Sequence, residues 1–142
     1  MKKGRLYTIG YGNRTQEDFY SVLQLNSIKV LIDVRTKPYS RFRPQFNKNR
    51  LCLSSPANGI EYIFKGEALG GLLLNDATLY KQGIEFLSER LKSGHNVTIM
   101  CCELDYTKCH RYKIAEDIFQ RGYTVIHIGK KNEPIIHQGL LF

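Results

Sequence analysis

Three cysteines fall within nine residues, Cys101, Cys102 and Cys109, and the last is followed directly by His110 and Arg111. A thiolate is a nucleophile, an imidazole moves protons near neutral pH, and a guanidinium holds anions. Either Cys101 or Cys109 can therefore serve as nucleophile, with Glu103 or His110 carrying protons and Arg111 holding an anion. The alternative is that these cysteines are small core residues, a common use of free Cys. Metal-binding spacings such as C-x2-C are missing, and neighbouring residues on a strand point to opposite faces. No metal and no cofactor is expected.

The second concentration of chemistry is Asp33-Val34-Arg35 and the loop behind it. From Val34 to Ile60 there is no acidic residue, yet Arg35, Lys37, Arg41, Arg43, Lys48 and Arg50 all occur. Guanidinium forks suit phosphate or carboxylate, and the interleaved Tyr39, Phe42 and Phe46 can stack on a base. The alternative is an exposed loop whose aromatics anchor it to the core. Asp33, ending an apolar strand, must be paired: it either orients an arginine or accepts backbone N–H bonds. Asn13, Asp33, Arg35, Ser40, Arg41, Phe46 and Arg111 are the ligand-binding candidates. Of the histidines, His127 reads as structural, His95 as exposed, and His137 can return towards the site.

These residues need elements to position them. Arg5–Ile9 reads as a strand, followed by a turn at Gly10 and Gly12, then a helix capped by Thr15 and ending near Asn26. Residues 28–34 (IKVLIDV) read as a strand buried on both faces. A short helix must end by Pro56, and Ile60–Phe64 is the third strand. The stripe Tyr80, Ile84, Leu87, Leu91 gives a helix stopped at Gly94, and Val97–Cys101 the fourth strand. A helix starting near His110 and closed by Gly122 precedes the fifth strand, Tyr123–Ile128, and Ile135–Gln138 can fold back as a hairpin. This alternation predicts an α/β fold. It is a single-domain, Rossmann-like three-layer sandwich with a mostly parallel central sheet of about five strands. Ligands in such folds sit beyond the carboxyl ends of the strands. The loops Gly10–Asn13, Asp33–Asn47, Lys65–Leu72 and Cys101–Arg111 are thus expected to converge on one crevice.

Composition sets the outer bounds. The 142 residues fit one domain, and 42% apolar residues argue against disorder. Against 13 acidic residues stand 21 Lys and Arg, a formal charge of +8 that suits an anionic partner. No apolar run reaches the roughly 20 residues of a membrane helix, and the N-terminus lacks the apolar core of a signal peptide. A cytoplasmic protein with reduced thiols is expected, with no membrane partner. Four Cys are too few for a disulfide scaffold.

The motifs resemble those of the domain of unknown function 488 (DUF488) family of bacteria and archaea, nearly end to end. TIGYGNRT is similar to its opening strand and turn, although Tyr11 and Gly12 stand where His-Ser is usual. LIDVRTKPYSRFRPQFN is similar to its second motif, through Asp33, Val34, Arg35, Pro38, Ser40, Arg41, Pro44 and Phe46. Leu69–Gly71 is similar to its glycine motif, with Leu72 where Arg is frequent. Cys101, Glu103, Cys109, His110, Arg111, Gly122 and His127 resemble its closing signature, and His137 a histidine placed after the final turn. The resemblance implies one DUF488-like domain over 1–142 and brings no defined reaction with it.

The expected function is an enzyme, or a specific binder, acting on a phosphate-bearing ligand such as a nucleotide or nucleic acid. Two alternatives stand. A rhodanese-like or cysteine-phosphatase-like transferase is suggested by LIDVR and by the strand-Cys-loop-Arg-helix order. Against it, Cys101 and Arg111 are ten apart with no glycine between. A non-catalytic nucleic-acid-binding module is suggested by the charge alone.

Overall fold

The computed structural model describes residues 2–71 and 76–139. Strand β1 (Leu6–Gly10) is buried at every residue and pairs in parallel with β4 (Val97–Cys101) on one side and β5 (Val125–Ile128) on the other. Beyond β4 lie β2 (Val30–Asp33) and then β3 (Glu61–Phe64), also parallel. Beyond β5, β6 (Pro134–Ile136) folds back antiparallel, as the expected hairpin. The sheet order is β3-β2-β4-β1-β5-β6. The fold is therefore α/β with one mostly parallel, six-stranded sheet.

Burial of both faces explains the near-continuous apolar strands. On one face, Tyr7, Ile9, Leu31, Met100 and Ile126 pack with Phe19 and Leu23 of α1 (Gln16–Leu25) and Leu51 of α2 (Lys48–Ala57). On the other, Leu6, Ile32, Ile99 and Val125 meet residues of three helices. These are α3 (Gly66–Leu69), α4 (Ala77–Lys92) and α5 (Arg111–Gln120). Thr15 caps α1 as its spacing predicts, accepting from the Asp18 N–H, and Gly94 and Gly122 take positive φ just past α4 and α5. One boundary differs: α2 includes Pro56 rather than ending before it. Pro56 sits in the last turn, where its missing N–H forgoes a single intrahelical bond.

The chain leaves β1 towards β2 by way of α1 on one face, and leaves β4 towards β5 by way of α5 on the opposite face. β1 and β4 are neighbours whose outgoing connections part in opposite directions. Their carboxyl ends, Gly10 and Cys101, thus flank a topological switch point where a crevice must open. No helix among the described residues is long and apolar enough to cross a membrane.

Candidate functional site

That crevice has a volume of about 610 Å³, and all four expected loops contribute to it. Tyr11 comes from the loop after β1, and Arg35, Thr36, Lys37, Tyr39 and Ser40 from the loop after β2. Gly71 follows α3, and Leu72 lies outside the described residues. Cys101, Cys102, Glu103, Lys108, Cys109 and His110 form the remaining wall. Sequence reasoning passed over Thr36 and Lys108 as ligand candidates. Thr36 directly follows Arg35, and Lys108 sits in the 3-10 turn Tyr106–Lys108 that leads into Cys109.

Asp33 is fully buried and grips Arg35 with both oxygens, at 2.9 Å from Nε and 2.8 Å from Nη2, while Tyr62 donates its hydroxyl to the same carboxylate at 2.6 Å. Arg35 Nη2 also donates to the Phe46 carbonyl at 2.7 Å. Burial would lower the Arg35 pKa, but the hydrogen-bonded, ion-paired Asp33 outweighs it and holds the value above the ordinary one. Arg35 Nη1 is buried without a hydrogen-bond partner among the described residues. Asp33 thus fixes the direction of Arg35, which lines the crevice.

His110, the residue before α5, turns Nε2 to the Val34 carbonyl at 2.7 Å. A carbonyl only accepts, so Nε2 carries the proton and Nδ1 keeps a lone pair, 3.7 Å from the Cys109 sulfur. Burial, with the charge of Arg111 behind it, keeps the His110 pKa below its usual value despite the Val34 bond. The sulfurs of Cys101 and Cys109, eight residues apart in sequence, are brought into contact, while Cys52 and Cys102 are free and exposed. The structure thus brings two of the three clustered cysteines together at the crevice. Spacing alone does not reveal it, because the turn over residues 102–108 brings the sulfurs together.

Besides Asp33, four ligand candidates do not line the crevice. Arg111 is wholly buried and not at the crevice surface. Its guanidinium donates to the Cys101 sulfur at 2.8 Å, to the carbonyls of Glu103 and Leu104, and to Thr8 Oγ1 at 3.3 Å. Burial pushes its pKa down to about 10, against the charges of Glu103 and Asp105. It lies under the sulfur and ties down the loop after β4. Phe46 is a core residue stacked on Tyr11 at 4.7 Å, and Asn13 is exposed and outside the crevice. Arg41 is exposed one residue beyond Ser40, whose hydroxyl accepts from the Phe42 and Arg43 N–H groups.

Behind Arg111 runs a buried chain that sequence reasoning missed. Thr8 Oγ1 meets His127 Nδ1 at 2.6 Å, His127 Nε2 meets His137 Nδ1 at 2.8 Å, and His137 Nε2 meets Glu116 at 2.9 Å. Burial, with the charges of His137 and Arg111, pushes the His127 pKa down to about 3. Arg111 donates to Thr8, and the contacts run on from Thr8 through His127 and His137 to Glu116. His137 therefore serves this chain and does not return to the crevice. Arg14 is a second buried arginine, donating to the carbonyls of Gly10 and Gly129 and clamping the β1 turn to the β5–β6 hairpin.

Residues 15–77 match the family model described as Domain of unknown function DUF488. The expected resemblance is borne out over that stretch, which holds α1, β2 and the basic loop. Cys101–Arg111 lies beyond it. No curated protein and no solved structure matches the chain.

Proposed function

We propose that this DUF488-related chain is a cytoplasmic enzyme, or a specific binder, that takes the phosphate of a nucleotide or nucleic acid into the crevice. The observation that carries the reading is the charge of the walls. Lys37, Arg35 paired with Asp33, and Lys108 at 3.9 Å from Asp105 line a crevice at the ends of parallel strands, with Glu103 the carboxylate among its lining residues. This Rossmann-like arrangement suits an anion. Arg35 is held in place at the wall by Asp33. Tyr39 at the crevice and Phe42 in the same loop are 63% and 83% exposed, so burial does not account for them. Stacking on a base does. Arg41 then serves the rim rather than the floor.

Calorimetric titration with inorganic phosphate and with a nucleoside monophosphate tests the reading. The nucleotide is expected to bind about tenfold more tightly than phosphate, an increment typical of one stacked base. Tyr39→Ala should remove that increment and leave phosphate binding alone. Lys37→Ala with Lys108→Ala should weaken both ligands. No heat with either ligand at millimolar concentration overturns the proposal.

A further inference from the structure

We propose that Cys101 and Cys109 form a working dithiol–disulfide couple at the crevice floor, exchanging with a small anionic disulfide. The inference goes beyond phosphate binding and does not depend on it. Both sulfur-bearing residues line the crevice, with Cys109 half-buried and Cys101 nearly covered.

The surroundings serve thiolates better than a disulfide. A disulfide sulfur is a weak acceptor, whereas a thiolate takes a strong charge-assisted bond from a guanidinium. Arg111 Nη1 stands 2.8 Å from Cys101 Sγ, with no carboxylate side chain hydrogen-bonded to that guanidinium among the described residues. At the other sulfur, the tautomer fixed by the Val34 carbonyl leaves His110 Nδ1 as an acceptor for the Cys109 thiol proton. A purely structural cross-link needs neither group.

The exchange balances as follows. His110 Nδ1 takes the Cys109 proton and Cys109 Sγ attacks one sulfur of the substrate disulfide. That S–S bond breaks, a mixed disulfide forms on Cys109, and the first half leaves as a thiol carrying the proton from His110. Cys101, already a thiolate beside Arg111, then attacks Cys109 Sγ and expels the second half as a thiolate. Two electrons pass from the protein dithiol to the substrate, and an external thiol resets the couple by the reverse steps. The cations of the walls select a negatively charged substrate.

The test uses the reduced full-length chain carrying Cys52→Ser and Cys102→Ser, with dithiobis(nitrobenzoate) as the anionic disulfide. Two thionitrobenzoates released per chain, with Cys101 and Cys109 linked in the peptide map, are expected. Added Cys101→Ser should stop the reaction at one, with the nitrobenzoate retained on Cys109. The first release should outpace that of a Cys101→Ser, Cys109→Ser chain, whose only thiols are Cys52 and Cys102, by about tenfold. If Cys101→Ser does not fold, the peptide map of the parent decides. A single release with nitrobenzoate left on Cys109, or a first release no faster than the Cys52 and Cys102 thiols, overturns the proposal.

Discussion

At the scale of single residues, three buried arginines differ in what balances them. Arg35 is held by a carboxylate, Arg14 by carbonyls and by Asp18 at 3.3 Å, and Arg111 by carbonyls, a hydroxyl and a sulfur. Breaking a buried pair leaves its partner uncompensated, so Arg35→Met should cost about 3–5 kcal/mol in urea unfolding. Arg111→Met leaves the Glu103 and Leu104 carbonyls unbonded and should cost about 3 kcal/mol, lowering Tm by roughly 6–12 °C. The expectation that Arg111 holds an anion rested on its place directly after Cys109 and His110. A linear sequence does not say which way a side chain there points. His127 sets a pH dependence. Its folded pKa of about 3 lies below the unfolded value near 6.5, so the unfolded chain binds the proton first. Its contribution is full above about pH 6.5 and is lost as pH falls towards 3, by up to about 1.4 kcal/mol per pH unit. Urea midpoints should therefore fall from pH 7 to pH 5, and His127→Gln should flatten that slope.

At the scale of elements, the loops matter through how closely they approach one another. A Cβ on Gly10 would run into the Glu103 carbonyl, with Arg111 Nη1 3.0 Å away, because the end of β1 is packed directly under the loop after β4. Gly10→Ala should push that loop outwards, costing about 1–3 kcal/mol, the usual range for overpacking. Faster digestion between residues 102 and 108 would show it. The convergence of the loops was legible because the alternation of strand and helix fixes where loops must lie. The fine placement was not. Phe46 and Phe42 sit in one aromatic-rich loop, yet a 3-10 turn at Pro44–Phe46 buries the first and leaves the second exposed. Asn13 stands in a loop that does reach the crevice, but it is Tyr11 that faces in.

At the scale of the whole molecule, the opposed crossovers at β1 and β4 put the crevice where the sheet's connections diverge. The formal charge of +8 suits an anionic partner. If single-stranded nucleic acid is the ligand, its affinity should fall with salt, and the log–log slope should drop by roughly 1 for each phosphate-contacting lysine removed. Comparing the native chain with Lys37→Ala, Lys108→Ala in a salt titration measures this. An unchanged slope would place the phosphates elsewhere on the surface. Net charge showed in the composition, but the chain of Thr8, His127, His137 and Glu116 did not. Its members are spread from β1 to the segment after β6, and only the folded sheet brings them together.

That chain also ties the hairpin to the far side of the molecule. Its imidazole protons are shared between buried nitrogens and a mostly covered carboxylate, so water reaches them when β6 lifts from β5. In a proton NMR spectrum the imidazole N–H signals of His127 and His137 should outlast exposed imidazole protons after transfer to heavy water. Their decay would then report how often the edge of the sheet breathes.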